Sequence, residues 1–159
     1  MTVAGTAALG ALPASPAVAA AGQGSGKLSL DKGIVYSMLP QGMSVADRFK
    51  LARDTGFKVV QAPTTPDPGE AEEFKKAADA TGIRIDSVMN MAHWKYPLSS
   101  SDPSAVAKSM EGMRTSLRNA KLWGSDAVLL VPAVVNPETS YHEAWARSQK
   151  QIRGSWFQD

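Results

Sequence analysis

Cysteine is absent from the chain, which excludes disulfides, thiolate nucleophiles and Cys-ligated zinc or iron. A dominant charge is missing too: 17 Lys and Arg face 15 Asp and Glu, a net charge of +2. So small a surplus predicts no nucleic-acid partner and no anionic membrane partner, since both require clustered Lys and Arg. Glycine-rich phosphate loops are lacking as well. The first strand-to-helix turn has no G-x-G-x-x-G, and no G-x-x-x-x-G-K-[ST] occurs anywhere, which weakens the case for a nucleotide-binding fold.

Charge disappears altogether between Met1 and Gly26. The apolar stretch Val3 to Leu12, Pro13 and the small-residue run Ala17 to Ala21 resemble the apolar and cleavage regions of a secretory signal. The stretch is too short and too broken by proline to span a bilayer. The basic region that should precede it is missing, as it would be if the natural start lay upstream of Met1. A disordered Ala-rich leader is the alternative. The expectation is an exported protein, periplasmic or secreted, or otherwise a cytoplasmic one, with residues 1–26 outside the fold.

What is present from Lys27 onward is alternation. Strand candidates run Gly33–Met38, Phe57–Gln61, Ile83–Val88 and Asp126–Val131, each a β-branched or aromatic run bounded by Gly or Pro. Between them lie amphipathic helical patterns. Ser44 with Asp47, Asp67-Pro68 with Glu70, Asp102-Pro103, and Ser140 with Glu143 mark their starts. The buried stripes read as Val45, Phe49 and Ala52; Ala71, Phe74, Ala77 and Ala78; Val106, Met110, Met113, Leu117 and Ala120; and Tyr141, Ala144, Trp145, Ser148 and Ile152. Trp123 and Trp145 fall on such stripes and are expected in the core. Thr55-Gly56-Phe57-Lys58-Val59 and Thr81-Gly82-Ile83-Arg84-Ile85 repeat one pattern, a helix end, a glycine suited to a left-handed turn, and a strand. Four βα units imply parallel strands with right-handed crossovers. An open doubly wound sheet and part of a (β/α)₈ barrel both satisfy that pattern.

His93-Trp94-Lys95-Tyr96-Pro97-Leu98, Ser101-Asp102-Pro103, Lys108 to Arg114, Ala120-Lys121-Leu122-Trp123-Gly124 and Val128-Leu129-Leu130-Val131-Pro132 together resemble the xylose-isomerase-like TIM-barrel proteins. These are sugar phosphate isomerases and epimerases, hydroxypyruvate isomerase and tagatose 3-epimerase relatives among them, and the likeness leans toward exported bacterial members. It covers residues 27–153. It implies an N-terminal half of a barrel whose full length is about 250 residues or more. Residues 154–159 do not resemble the family's continuation, and a truncation near Arg153 is the expectation. The implied reaction moves a proton next to a carbonyl, with a divalent metal (Mn, Mg or Co) expected for the full-length family.

In such barrels the site lies at the C-terminal ends of the strands. Those ends carry Tyr36, Gln61, Trp94, Lys95 and Asn136 as candidate substrate contacts and His93 as candidate acid or base. A loop histidine hydrogen-bonded to backbone is the competing reading of His93, and a solvated side chain that of Lys95. No Asp or Glu stands at a strand end, so no metal ligand is assigned and the chain alone is expected to lack the metal-binding half. Asp86 is expected to face the helix layer, and His142 to be a surface residue. The partners expected are a sugar or sugar phosphate and, as an alternative to an incomplete enzyme, a second copy of the chain in a homodimer. A non-catalytic sugar-binding or scaffold protein is the remaining alternative.

Overall fold

The β-branched runs and the capped helical patterns become four βα units in a computed structural model that describes residues 30–155. The leader over residues 1–26 and residues 156–159 of the tail lie outside the described residues. The order is β1 (Gly33–Val35), a 3-10 turn over Tyr36–Met38, α1 (Val45–Asp54), β2 (Val59–Pro63), α2 (Pro68–Thr81), β3 (Arg84–Met89), α3 (Pro103–Trp123), β4 (Ala127–Leu129) and α4 (Tyr141–Ser155). All four strands are parallel and lie side by side in sequence order. A doubly wound sheet reverses its strand order at a switch point. No reversal occurs among the described strands, so the sheet has the topology of half a (β/α)₈ barrel.

Right-handed crossovers that always step the same way leave their helices on one face of the sheet. There Val60, Ala62, Ile85 and Val88 meet Phe49 and Ala52 of α1, Phe74 and Ala77 of α2, and Ala120 and Trp123 of α3. Phe74 joins these layers, edge-on to Phe49 at 5.8 Å and stacked on Trp123 at 5.4 Å. The Trp123 indole N–H is satisfied by the Ala71 carbonyl at 2.8 Å.

Local chemistry sets the helix ends. Ser44, Asp67 and Asp102 each accept a first-turn backbone N–H, and Ser140 and Glu143 bond reciprocally across the first turn of α4. Glu70 departs from the expected box. Its carboxylate takes the Thr65 hydroxyl, while the Asp67 amide donates to Thr65 Oγ1 at 3.3 Å. The repeated Thr-Gly junction is built twice in the same way. Thr55 and Thr81 return their hydroxyls to the carbonyls of Leu51 and Ala77, and Gly56 and Gly82 follow at φ 82° and 71°.

Five expectations shift. The first strand stops at Val35, because the chain turns at Tyr36 to bury that ring. β2 and β3 run on toward their C-terminal ends, to Pro63 and Met89. β4 keeps only three residues of the apolar run and, among the described residues, is an edge strand with Leu129 43% exposed. On α3, Ser116 and Asn119 are buried and Leu117 is exposed, because that face meets polar groups at the strand ends. On α4, Trp145 is 55% exposed, since only Ala144 and Ser148 of its stripe reach the interior.

Candidate functional site

Asp86 corrects a further expectation. The register between β2 and β3 slips after Val60, pairing Val60 with Ile85 and then Gln61 with Ser87. Asp86 is therefore the extra residue of a bulge, and a bulge re-aims the side chains beside it. It joins Gln61, Ser87, Gly33, Ile34 and Val35 in lining a shallow depression of about 250 Å³ on the sheet. Gln61 Nε2 donates to Ser87 Oγ at 3.2 Å, and Ser87 Oγ donates to Asp86 Oδ1 at 3.2 Å. Arg84, two residues earlier, is engaged with Asp126 at 2.6 Å.

The C-terminal ends of β2 and β3 are knitted to α3 by a buried polar network. Thr64 Oγ1 reaches the Met89 carbonyl at 2.8 Å and Ser116 Oγ at 2.6 Å. Asn90 Nδ2 donates to Ser116 Oγ at 3.3 Å, and its Oδ1 accepts the Ala92 amide at 2.9 Å. The Thr65 amide donates to Asn119 Oδ1 at 2.9 Å. The sequence signal for these residues was weak, small polar side chains on a helix stripe that reads as apolar. Gly112 completes the joint, for a Cβ there would stand 2.8 Å from Ala92 Cβ. The loop after β3 is thereby pressed onto the helix.

That loop carries His93, buried at 1% exposure. Its Nδ1 accepts the Val131 amide, just past β4, at 3.3 Å. Burial holds the imidazole below its ordinary pKa. An Nδ1 that accepts a backbone proton leaves the ring's own proton on Nε2. Trp94 stands edge-on to it at 5.3 Å and is 70% exposed.

The other candidates disperse. Tyr36 is buried against Phe74 at 4.7 Å, with the Arg48 guanidinium 4.9 Å from its ring. Burial pushes its phenol up, and Arg48 opposes the shift. Gln61 belongs to the depression with Asp86 and Ser87. Lys95 is exposed, its ammonium over the Tyr96 ring at 5.5 Å. Asn136 is exposed and holds its own turn by accepting the Glu138 amide at 3.1 Å. His142 is exposed in the first turn of α4. The structure thus brings His93 and Trp94 together at the β3–β4 rim and leaves Tyr36 in the core.

Among the described residues no three His, Asp or Glu converge on one point. A divalent cation of the hard type needs several oxygen donors. Asp86 has an amide and a hydroxyl beside it, and Nδ1 of His93 is already taken by backbone. These donors do not fit such an ion.

The family described as xylose isomerase-like TIM barrel matches residues 49–155. L-ribulose-5-phosphate 3-epimerase UlaE of Escherichia coli O1:K1 is 27% identical over 131 residues, covering 76% of this chain and 45% of the relative. The K12 enzyme of the same name is 25% identical over the same span. The chain thus spans about half the length of the curated relatives it matches. Among solved structures, D-allulose 3-epimerase from Methylomonas sp. superposes with a TM-score of 0.61 at 19% identity, covering 78% of this chain and 45% of that one. The 3-keto-D-glucoside 4-epimerase YcjR from E. coli gives a TM-score of 0.61 at 13% identity, covering 74% and 46%. Both show a shared fold.

Proposed function

Since the chain belongs to the xylose isomerase-like TIM barrel family, we propose that it supplies the substrate-holding half of a sugar isomerase or epimerase and does not turn the sugar over by itself. The reaction class moves a proton on carbon next to a carbonyl, which requires a placed base and a means of holding charge on oxygen. The observation that carries the reading is the rim of β3 and β4. A neutral donor, His93, and an exposed aromatic surface, Trp94, stand where barrel enzymes bind substrate, with no acidic cluster beside them among the described residues. Lys95 on the same loop is free to meet a phosphate or carboxylate from solution. The divalent metal of the full-length family falls to residues other than those described here. The site of action we propose is outside the cytoplasm, which rests on residues 1–26 alone.

The test is solvent exchange. The chain is incubated in D₂O with D-fructose, D-allulose or L-ribulose 5-phosphate, with and without Mn²⁺, and deuterium at the carbon beside the carbonyl is followed by NMR. The expected result is binding, seen as a shift of an indole signal, with no exchange above the protein-free rate. Mn²⁺-dependent exchange would overturn it.

A second reading is favoured by the sheet edges. Outer sides of β1 and β4 are unpaired among the described residues, and Leu129 is exposed. Two copies related by a twofold axis along the strands would set β1 of each beside β4 of the other, all parallel. In that reading the protein is a homodimeric sugar-binding scaffold.

A further inference from the structure

Three features outside the described chemistry compete. The depression holding Asp86 contains one carboxylate and lies toward the N-terminal half of β3, away from the rim. The apolar groove beside α4 is lined by Pro132, Val135, Tyr141, Trp145 and Ile152, and nothing in the structure shows what covers it. The loop after β3 is different, because its geometry defines a role for a buried titratable group.

We propose that His93 is a positioning residue whose Nδ1, by accepting the Val131 amide, fixes Trp94 as the apolar platform on which a sugar's C–H face packs. The inference rests on the reading that this rim takes a sugar. Three restraints converge on the loop. Asn90 Oδ1 holds the Ala92 amide, the Tyr96 amide returns to the Ala92 carbonyl at 2.8 Å, and Gly112 lets Ala92 press against α3. These fix the loop to β3 and α3. At its ends the loop is joined to β4 and the segment beyond by the Asn90 amide on the Leu129 carbonyl at 3.1 Å and by the Val134 amide on Ser99 Oγ at 3.1 Å. The contact from His93 to Val131 is the tie at its middle, and Trp94 is the next residue. A large exposed aromatic normally loses its order to rotamer freedom. Here its ring is held edge-on against an imidazole that cannot turn without releasing a backbone amide. A rigid aromatic wall with a hydrogen-bond donor beside it is how sugar sites combine apolar contact with orientation.

The clasp works only with neutral imidazole, because a proton on Nδ1 would face the Val131 N–H. Burial favours that neutral form. The groups around it carry no opposing charge. Residues 127–137, forming β4 and the segment after it, have no ionisable side chain. On β3, Arg84 pairs with Asp126 and Asp86 with Ser87, while Lys95 on the loop and Lys108 on α3 both sit over the Tyr96 ring.

The experiment uses the full chain labelled with ¹⁵N-tryptophan, comparing wild type, His93→Asn, His93→Leu and Trp94→Ala. Asparagine places an oxygen where Nδ1 stands and keeps the acceptor; leucine removes it. Without ligand, the Trp94 indole should give the relaxation of an ordered side chain in wild type and His93→Asn, and of a mobile one in His93→Leu. Wild type at a pH low enough to protonate the buried imidazole should resemble His93→Leu, which covers the case in which that variant fails to fold. An indole equally ordered in His93→Leu and at low pH overturns the clasp. With D-fructose or D-allulose as probe, affinity should fall about tenfold in His93→Leu and Trp94→Ala and stay near wild type in His93→Asn. Sugar shifts elsewhere with Trp94 unmoved overturn the platform. If no signal of any variant responds to sugar, the proposed function fails, and the ligand-free comparison still decides the clasp.

Discussion

At the scale of single residues, two positions separate packing from chemistry. Alanine is normally better than glycine inside a helix by about 1 kcal/mol. At Gly112 that preference is reversed, because the new Cβ would stand 2.8 Å from Ala92 Cβ, an atom fixed to backbone. Gly112→Ala should therefore destabilise the chain by about 1–3 kcal/mol in urea unfolding, as overpacking does. Adding Ala92→Gly should restore most of it; a neutral single variant would show that the loop is not pressed on α3. His93 adds a pH signature. Its folded pKa lies below the ordinary 6.5, so the unfolded chain takes up the proton first. Stability from this group is thus present above about pH 6.5 and lost as pH falls through the folded value. Unfolding curves at about pH 8 and about pH 5 should converge in His93→Asn and separate in wild type.

At the scale of elements, the caps make the clearest prediction. Asp67 accepts the Glu70 amide at 2.8 Å, and the Asp67 carboxylate also faces the positive end of α2. Asp67→Ala should cost about 1 kcal/mol, read as a fall in the urea midpoint with unchanged slope. Asp67→Asn should recover most of it, and an unaffected midpoint in the alanine variant would mean Thr65 and Glu70 hold the start of α2 unaided. The caps were legible in the sequence because they are local: Ser44, Asp67, Asp102 and Ser140 each act within four residues. So was the parallel βα order, which follows from strand and helix periods. The bulge at Asp86 was not legible, since it arises from pairing with β2 and leaves no mark in β3 alone. Nor was the burial of Ser116 and Asn119, which depends on where Thr64, Thr65 and Asn90 arrive from distant strands. The site followed the same division. His93 and Trp94 share a loop and stayed together, with His93 accepting a backbone proton as one of its two readings required. Tyr36 left the rim because a turn at the end of β1 carried it to Phe74, a partner from another element.

At the scale of the whole molecule, the question is what covers the open side of the sheet. A strand edge with unpaired amides and carbonyls is a template for pairing, and among the described residues β1 and β4 present one at each end. Apolar surface accompanies the β4 edge: Pro132, Val135, Tyr141, Trp145 and Ile152 line a groove of about 520 Å³ along α4. Single exposed hydrophobics need no explanation, but a continuous apolar groove beside an open edge does. If two copies close on each other, sedimentation equilibrium of the 16.8 kDa chain should show a concentration-dependent doubling of mass. Trp145→Lys should shift that equilibrium to the monomer by about tenfold or more, because a charge would be buried at the groove. The helical signal of α2 and α3, remote from the groove, should be retained in that variant. A chain that remains monomeric at every concentration while unfolding cooperatively would rule the dimer out. It would leave the sheet's second face to water, with the few apolar side chains on it, Leu129 foremost, exposed at modest cost.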